Sequence, residues 1–213
     1  MKNLFMVMAG LLVLFQTSSC AFATRIDGPY EGRVIDADTG QPIEGVVILG
    51  TWSREIPSAA GALHNYYDAM ETVTDKNGNF EIKGLGLLVL SNVIPMNVLI
   101  FKAGYEHIGL GSWRGLKSRG WTGKYEESYD PVKKTKVLKA IVDPKKKVKW
   151  EGDKAIIPLK KLTMEERKKR IPSPSVPTEA PLKKVRLMLK EINKEDIELG
   201  LKPINIWGGE KIE

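Results

Sequence analysis

Between residues 30 and 105 short apolar runs alternate with clusters of turn residues, and this restricts the chain to small antiparallel β-structure more than any other feature does. The stretch opens YEGRVIDADTGQPIEGVVILG. Residues 31–36 alternate, Val34 and Asp36 against Arg33 and Ile35, and read as a strand after a turn-rich leader at residues 24–29. A turn follows in which Asp38 closes an Asx-type bend, Gly40 tolerates positive φ and Pro42 fixes its own φ. Val46, Val47, Ile48 and Leu49 then run without a polar break, as a strand does when both of its faces are covered.

Residues 52–70 lose the period of two and read as a long insertion between strands, with a short helix around 60–70. Pattern returns at ETVT-DKNGN-FEI, a hairpin signal centred on Asn77-Gly78. Residues 85–101 are strongly apolar, but Ser91, Asn92, Pro95 and Asn97 interrupt them, which favours two strands around a turn over a membrane helix.

These motifs carry a resemblance. G-x-V-x-D-x-x-T-G-x-P-I-x-G-V-x-I at residues 32–48, T-x-T-D-x-N-G-x-F-x-I at 72–82 and K-A-G-Y at 102–105 resemble the carboxypeptidase regulatory-like domain family. The resemblance covers about a third of the chain and implies a seven-stranded transthyretin-like antiparallel β-sandwich. It implies no ligand, because such domains serve as adhesion, carbohydrate-associated and scaffolding units alike. The expected organisation is a signal at 1–23, the β-sandwich at 24–110, a basic, aromatic-containing extension at 111–171, and a Pro-rich linker with C-terminal helices at 172–213. Within the extension residues 155–159 read as a strand returning to the sandwich. In the tail Thr163 and Glu166 form a capping box, Leu182, Val185, Leu189 and Ile192 mark one helical face, and Asn193 reads as the cap of a second short helix over 194–199.

The N-terminus sets the compartment. Lys2 is followed by an apolar run at residues 4–15 and then small polar residues, the anatomy of a secretory signal in a bacterial exported protein. Two cleavage schemes fit. Ala21-Phe22-Ala23 would release a soluble periplasmic or secreted chain, whereas Thr17-Ser18-Ser19-Cys20 resembles a lipobox that would acylate Cys20, the only cysteine. With Ala21 after the Cys, a lipoprotein is expected on the periplasm-facing side of the outer membrane, its membrane contact made by the lipid.

Chemistry is harder to find. The only two histidines are His64, followed by NYY, and His107, followed by IGL. Neither opens the His-x-x-Glu pair of a zinc carboxypeptidase, and DKNGN lacks the Gly and Glu a calcium loop would need. No metal, cofactor or enzyme activity is expected. Two ligand-binding surfaces are candidates: His64, Tyr66 and Tyr67 in the insertion, and Trp113 and Trp121 in the extension, where Arg114, Arg119 and Lys124 lie between aromatic rings. A competing reading is a periplasmic hydrolase using His64 and Asp68, and another is a carbohydrate-binding accessory protein with Trp113 and Trp121 as exposed platforms.

Net charge is +7, yet residues 131–170 hold 15 Lys and Arg against 5 Asp and Glu, a local +10. Export argues against nucleic acid as the partner of that block and leaves an anionic envelope component, a glycan, or solvent alone. The sequence expectation is thus a non-catalytic, envelope-associated β-sandwich that binds or builds, of undetermined oligomeric state.

Overall fold

The computed structural model describes residues 23–58, 61–119, 121–130, 135–143, 145–169 and 174–212. Residues 1–22 of the expected signal, Cys20 among them, and residues 171–173 at the start of the Pro-rich stretch lie outside the described residues. The protein is mainly β, with several sheets.

The chain enters as β1 (Ala23–Asp27), so the expected leader is itself a strand, and continues into β2 (Tyr30–Asp36). β3 (Val47–Ser58) and β4 (Gly61–Val73) follow as one long antiparallel pair. This corrects the reading of residues 52–70, which hold neither an irregular insertion nor a helix in their described part. A bulge between Trp52 and Ser53 explains why the pattern misled. It changes the face on which every later side chain falls, and a two-stranded arm beyond it has no buried face to enforce alternation.

A second correction concerns DKNGN. β5 (Asn79–Ile82) pairs with β2, whereas β4 pairs with β3, so the turn carries the chain from one sheet to another instead of closing a hairpin. Asp75 builds the turn by accepting the N–H groups of Asn77 (2.9 Å) and Asn79 (2.8 Å). Gly78 sits at φ +75°, and a Cβ there would strike the Val34 carbonyl oxygen.

β6 (Gly86–Ser91) and β7 (Asn97–Phe101) are the two strands expected in the apolar stretch, but they do not pair with each other. β6 joins β1 in a two-stranded ribbon, and β7 lies between β3 and β8 (Ile108–Ser112). A 3-10 helix (Trp113–Ser118) follows, then the β9 (Trp121–Asp130) and β10 (Thr135–Val142) pair. β11 (Lys149–Glu151) and β12 (Lys154–Leu159) complete a sheet of order β11-β12-β2-β5, with β12 parallel to β2. The expected return of residues 155–159 therefore occurs, in a parallel register that an all-antiparallel expectation did not contain.

That sheet and the second four-stranded sheet, β4-β3-β7-β8, share a core. Val34, Phe80, Ile82, Ile157 and Leu159 from the first meet Ile48, Trp52, Val98 and Ile100 from the second. The alternate residues Val47, Leu49, Leu99 and Phe101 point the other way, into a separate core. Both faces of β3 up to Trp52 and of β7 from Val98 are buried, as the unbroken apolar run requires.

The second core is closed by the tail. α1 (Met164–Lys169) begins with the expected capping box: Thr163 Oγ1 accepts from Glu166 N–H (3.3 Å), and Glu166 accepts from Thr163 N–H (2.9 Å). α2 (Leu182–Glu198) is one continuous helix whose Leu182, Val185, Met188, Leu189 and Ile192 pack on the sheet. Asn193 caps nothing. Its amide instead bonds both the N–H and the carbonyl of Ile204, at 2.7 and 2.8 Å, pinning the last segment, which ends in the short pair β13 (Ile206–Trp207) and β14 (Glu210–Lys211).

Candidate functional site

The described surface carries a polar cleft of about 820 Å³ where β2, the 3-10 helix and the β11–β12 turn meet. Its wall is aromatic. The Trp113 ring lies edge-on to Tyr30 (5.6 Å between centroids) and to Trp150 (5.7 Å), and behind them to Phe80 (6.1 Å). Lys117 Nζ stands 5.3 Å from the Trp150 ring centre, close enough for a cation–π contact. Around these rings Arg114, Lys117 and Lys154 alternate with Glu31, Glu151 and Asp153, so three cations face three carboxylates. Trp150 Nε1 is buried and has no hydrogen-bond partner among the described residues. A buried N–H left unmade costs about 1–3 kcal/mol.

Tyr30 connects the cleft to the deepest polar network in the fold. Its hydroxyl donates to Asp27 Oδ2 (2.9 Å), while Asp27 Oδ1 accepts from Trp52 Nε1 (2.8 Å) and from the Leu85 N–H (3.2 Å). Arg25 adds a contact to Asp27 at 3.3 Å and donates to the Val93 carbonyl at 2.6 Å. Burial, reinforced by the hydrogen bond to Asp27, pushes the Tyr30 phenol up to about 12, so it is a fixed neutral donor at physiological pH.

The sequence candidates separate in space. Trp113 is 7% exposed and belongs to the core, so it offers the cleft an edge and no open stacking face. The side chain of Trp121 and the residue Cys20 lie outside what is described. His64 and Tyr66 line a second hollow of about 480 Å³ on the β3–β4 arm, together with Ser53 and Glu179. Tyr67 lies elsewhere, under the Arg54 guanidinium at 4.7 Å. Asp68 is held by Lys184 of α2 (3.0 Å) and by the Ala69 N–H (2.8 Å). His64 makes no hydrogen bond to a hydroxyl or carboxylate among the described residues. The structure thus brings His64 and Tyr66 together and leaves Asp68 committed to the helix.

Part of the basic block is used inside the molecule. Lys145 pairs with Asp38, Lys146 with Glu106, Lys160 with Glu166, and Arg167 with Glu195 and Glu198. Hydrogen bonds and charge from those partners hold the Lys145 and Lys160 ammonium groups above their ordinary pKa. Tyr30, Trp150 and Lys117 escaped the sequence reading of the cleft. Only the spacing of Trp113 and Arg114 pointed toward it, since the other parts come from strands far apart in the chain.

No family model matches the sequence, and no curated protein is significantly similar to it. Among solved structures, the pilus adhesin RrgA from Streptococcus pneumoniae aligns over 65% of this chain and 15% of its own, at 13% identity and a TM-score of 0.34. A 9R-lipoxygenase from Cyanothece PCC8801 aligns over 76% of this chain and 22% of its own, at 13% identity and a TM-score of 0.25. The chain thus spans less than a quarter of either protein, and likenesses this distant carry no argument about what it binds or does.

Proposed function

We propose that this chain is a non-catalytic binding module of the bacterial cell envelope, a transthyretin-like β-sandwich exported by its N-terminal signal and tethered through a lipid on Cys20. Its ligand occupies the cleft between Tyr30, Trp113 and Trp150. The observation that carries this reading is an aromatic-walled cleft in which Arg114, Lys117 and Lys154 interleave with Glu31, Glu151 and Asp153. Such a lining suits a polar ligand bearing both signs and many acceptors. An envelope glycan with carboxylate and amino groups has that chemistry, whereas a purely anionic polymer would meet three carboxylates as well as three cations. The engaged state of Asp68, held by Lys184 and the Ala69 N–H and so withdrawn from His64, supports binding over hydrolysis at the arm.

The test is titration of the exported protein with soluble peptidoglycan fragments, followed by NMR of the indole N–H signals. Binding is expected to shift the Trp150 resonance, and Trp150→Ala, which removes one aromatic wall of the cleft, is expected to weaken binding about tenfold. Equal affinity of the variant and the parent would remove the cleft from the function.

A further inference from the structure

The β1–β6 ribbon carries apolar side chains where solvent should be. Ile26 and Leu87 are register partners on its outer face, and they are 76% and 67% exposed. Val89 and Leu90 extend the patch and are 60% and 69% exposed. The inner face is ordinary by contrast: Asp27 is buried and Leu88 packs partly against the main core. Alternation along β6 therefore places apolar residues on both faces of a strand that described residues cover on only one. Leu90 also holds φ at +45°, an expensive conformation for a leucine whose side chain gains no burial within the chain.

The ribbon cannot fold back to hide this patch. Asp27 is bonded to Trp52, Tyr30 and the Leu85 backbone, which holds the root of both strands against the core. Gly28 and Gly84 cross at the same point, so close that a Cβ on Gly84 would strike the Asp27 carbonyl oxygen. The outer face is presented at a fixed angle.

We propose that this face is a membrane-docking surface that seats Ile26, Leu87, Val89 and Leu90 at the headgroup–acyl boundary of a lipid bilayer. The choice of occupant rests on the tether at Cys20 proposed above. Three residue steps separate Cys20 from Ala23, the first residue of β1, and at about 3.5 Å per residue they span no more than roughly 10 Å. A lipid at Cys20 thus holds the ribbon at the membrane surface whatever path the intervening residues take. The acyl chains of a lipobox cysteine hold the chain at the bilayer, and the patch would add a second contact that fixes which face of the ribbon meets it. Ile26 also lines the aromatic cleft, which would open just above the headgroups.

The experiment uses the full chain, exported and recovered with its native N-terminus. A polarity-sensitive dye on Val89→Cys is compared with the same dye on Ile197→Cys, an exposed position on α2 across the sheet, in phosphatidylethanolamine–phosphatidylglycerol vesicles containing brominated phosphatidylcholine. Lipid-borne quenching is expected to be several-fold stronger at position 89. Equal quenching at the two positions overturns the proposal. If the exported protein proves to be soluble, the tether reading fails by itself. The docking surface is then tested by vesicle co-sedimentation, where Leu87→Ser with Leu90→Ser is expected to lose about tenfold in partitioning while keeping the parent's circular dichroism. Equal partitioning, or a vesicle-independent dimer that the same variant abolishes, overturns it.

Discussion

The sheet β4-β3-β7-β8 is covered on its two faces by different means. One face meets the other four-stranded sheet, and a buried acid there, Asp27, is satisfied mainly by neutral donors: an indole, a phenol and a backbone N–H. The other face meets α2, and its buried acid, Glu195, is satisfied by a charge. Arg167 donates to Glu195 at 3.1 and 2.6 Å and to Glu198 at 2.6 Å, while Glu195 also accepts the Gly104 N–H at 2.8 Å. Glu191 adds the Ala103 N–H at 2.9 Å, so α2 grips the turn after β7 with two carboxylates. The neutral network ties the root of the β1–β6 ribbon to β2 and β3. The ionic one joins three separate pieces, α1, α2 and the turn, and depends on all of them.

That difference predicts which side fails first. Arg167→Met leaves Glu195 buried without its cation, and chemical denaturation should register a loss of about 3–5 kcal/mol. Adding Glu195→Leu should recover part of this, because the cost belongs to the orphaned charge more than to the lost attraction. A loss below about 1 kcal/mol would mean that the pair behaves as a surface bridge and that α2 is held by its apolar face alone.

On the other face the expected effect is smaller. Asp27→Asn keeps one acceptor oxygen and most of the shape, and it should cost about 2 kcal/mol. Amide exchange should then accelerate in β1 and β6 while α2 stays protected, since the acid holds the ribbon root and nothing in the second core. Loss of protection in α2 as well would show that the two faces unfold as one unit.

The first face was legible in its turns and apolar runs but not in its strand pairing, and the second only by halves. Turn residues such as Asp75 and Gly78 act locally, so their order along the chain announces the strands they separate. The run Val46, Val47, Ile48, Leu49 announced a strand with two covered faces, and Leu182, Val185, Leu189 and Ile192 announced an apolar helix stripe. No residue said that the two belong together. Arg167 and Glu195 sit in stretches that read as solvated helix, and only packing turns them into a buried pair. The cleft was hidden for the same reason. Tyr30, Trp113 and Trp150 are each unremarkable alone and meet only because β2, the 3-10 helix and β11 converge.

The smallest effect distinguishes the faces by the sign of their response to acid. Glu71 accepts the N–H groups of Leu187 and Met188 at 2.9 and 2.7 Å, yet burial under α2 outweighs these bonds and raises its pKa above the ordinary carboxylate value. Ionised Glu71 therefore weighs against the folded state, and that burden disappears once pH falls below the unfolded pKa. Between pH 7 and pH 4 the parent should gain stability relative to Glu71→Gln, which has no proton to bind there. Asp75, in the turn between the sheets, has the opposite sense. Hydrogen bonding from the Asn79 N–H lowers its pKa, so its contribution is present above the ordinary value and is lost as pH falls through the lowered one. Urea unfolding of the parent, Glu71→Gln and Asp75→Asn at pH 7 and again near pH 2, below the ordinary aspartate value, should give relative shifts of opposite sign. Shifts of the same sign would mean that burial at Glu71 is relieved in solution, and that α2 covers its face less tightly than the second sheet covers the other.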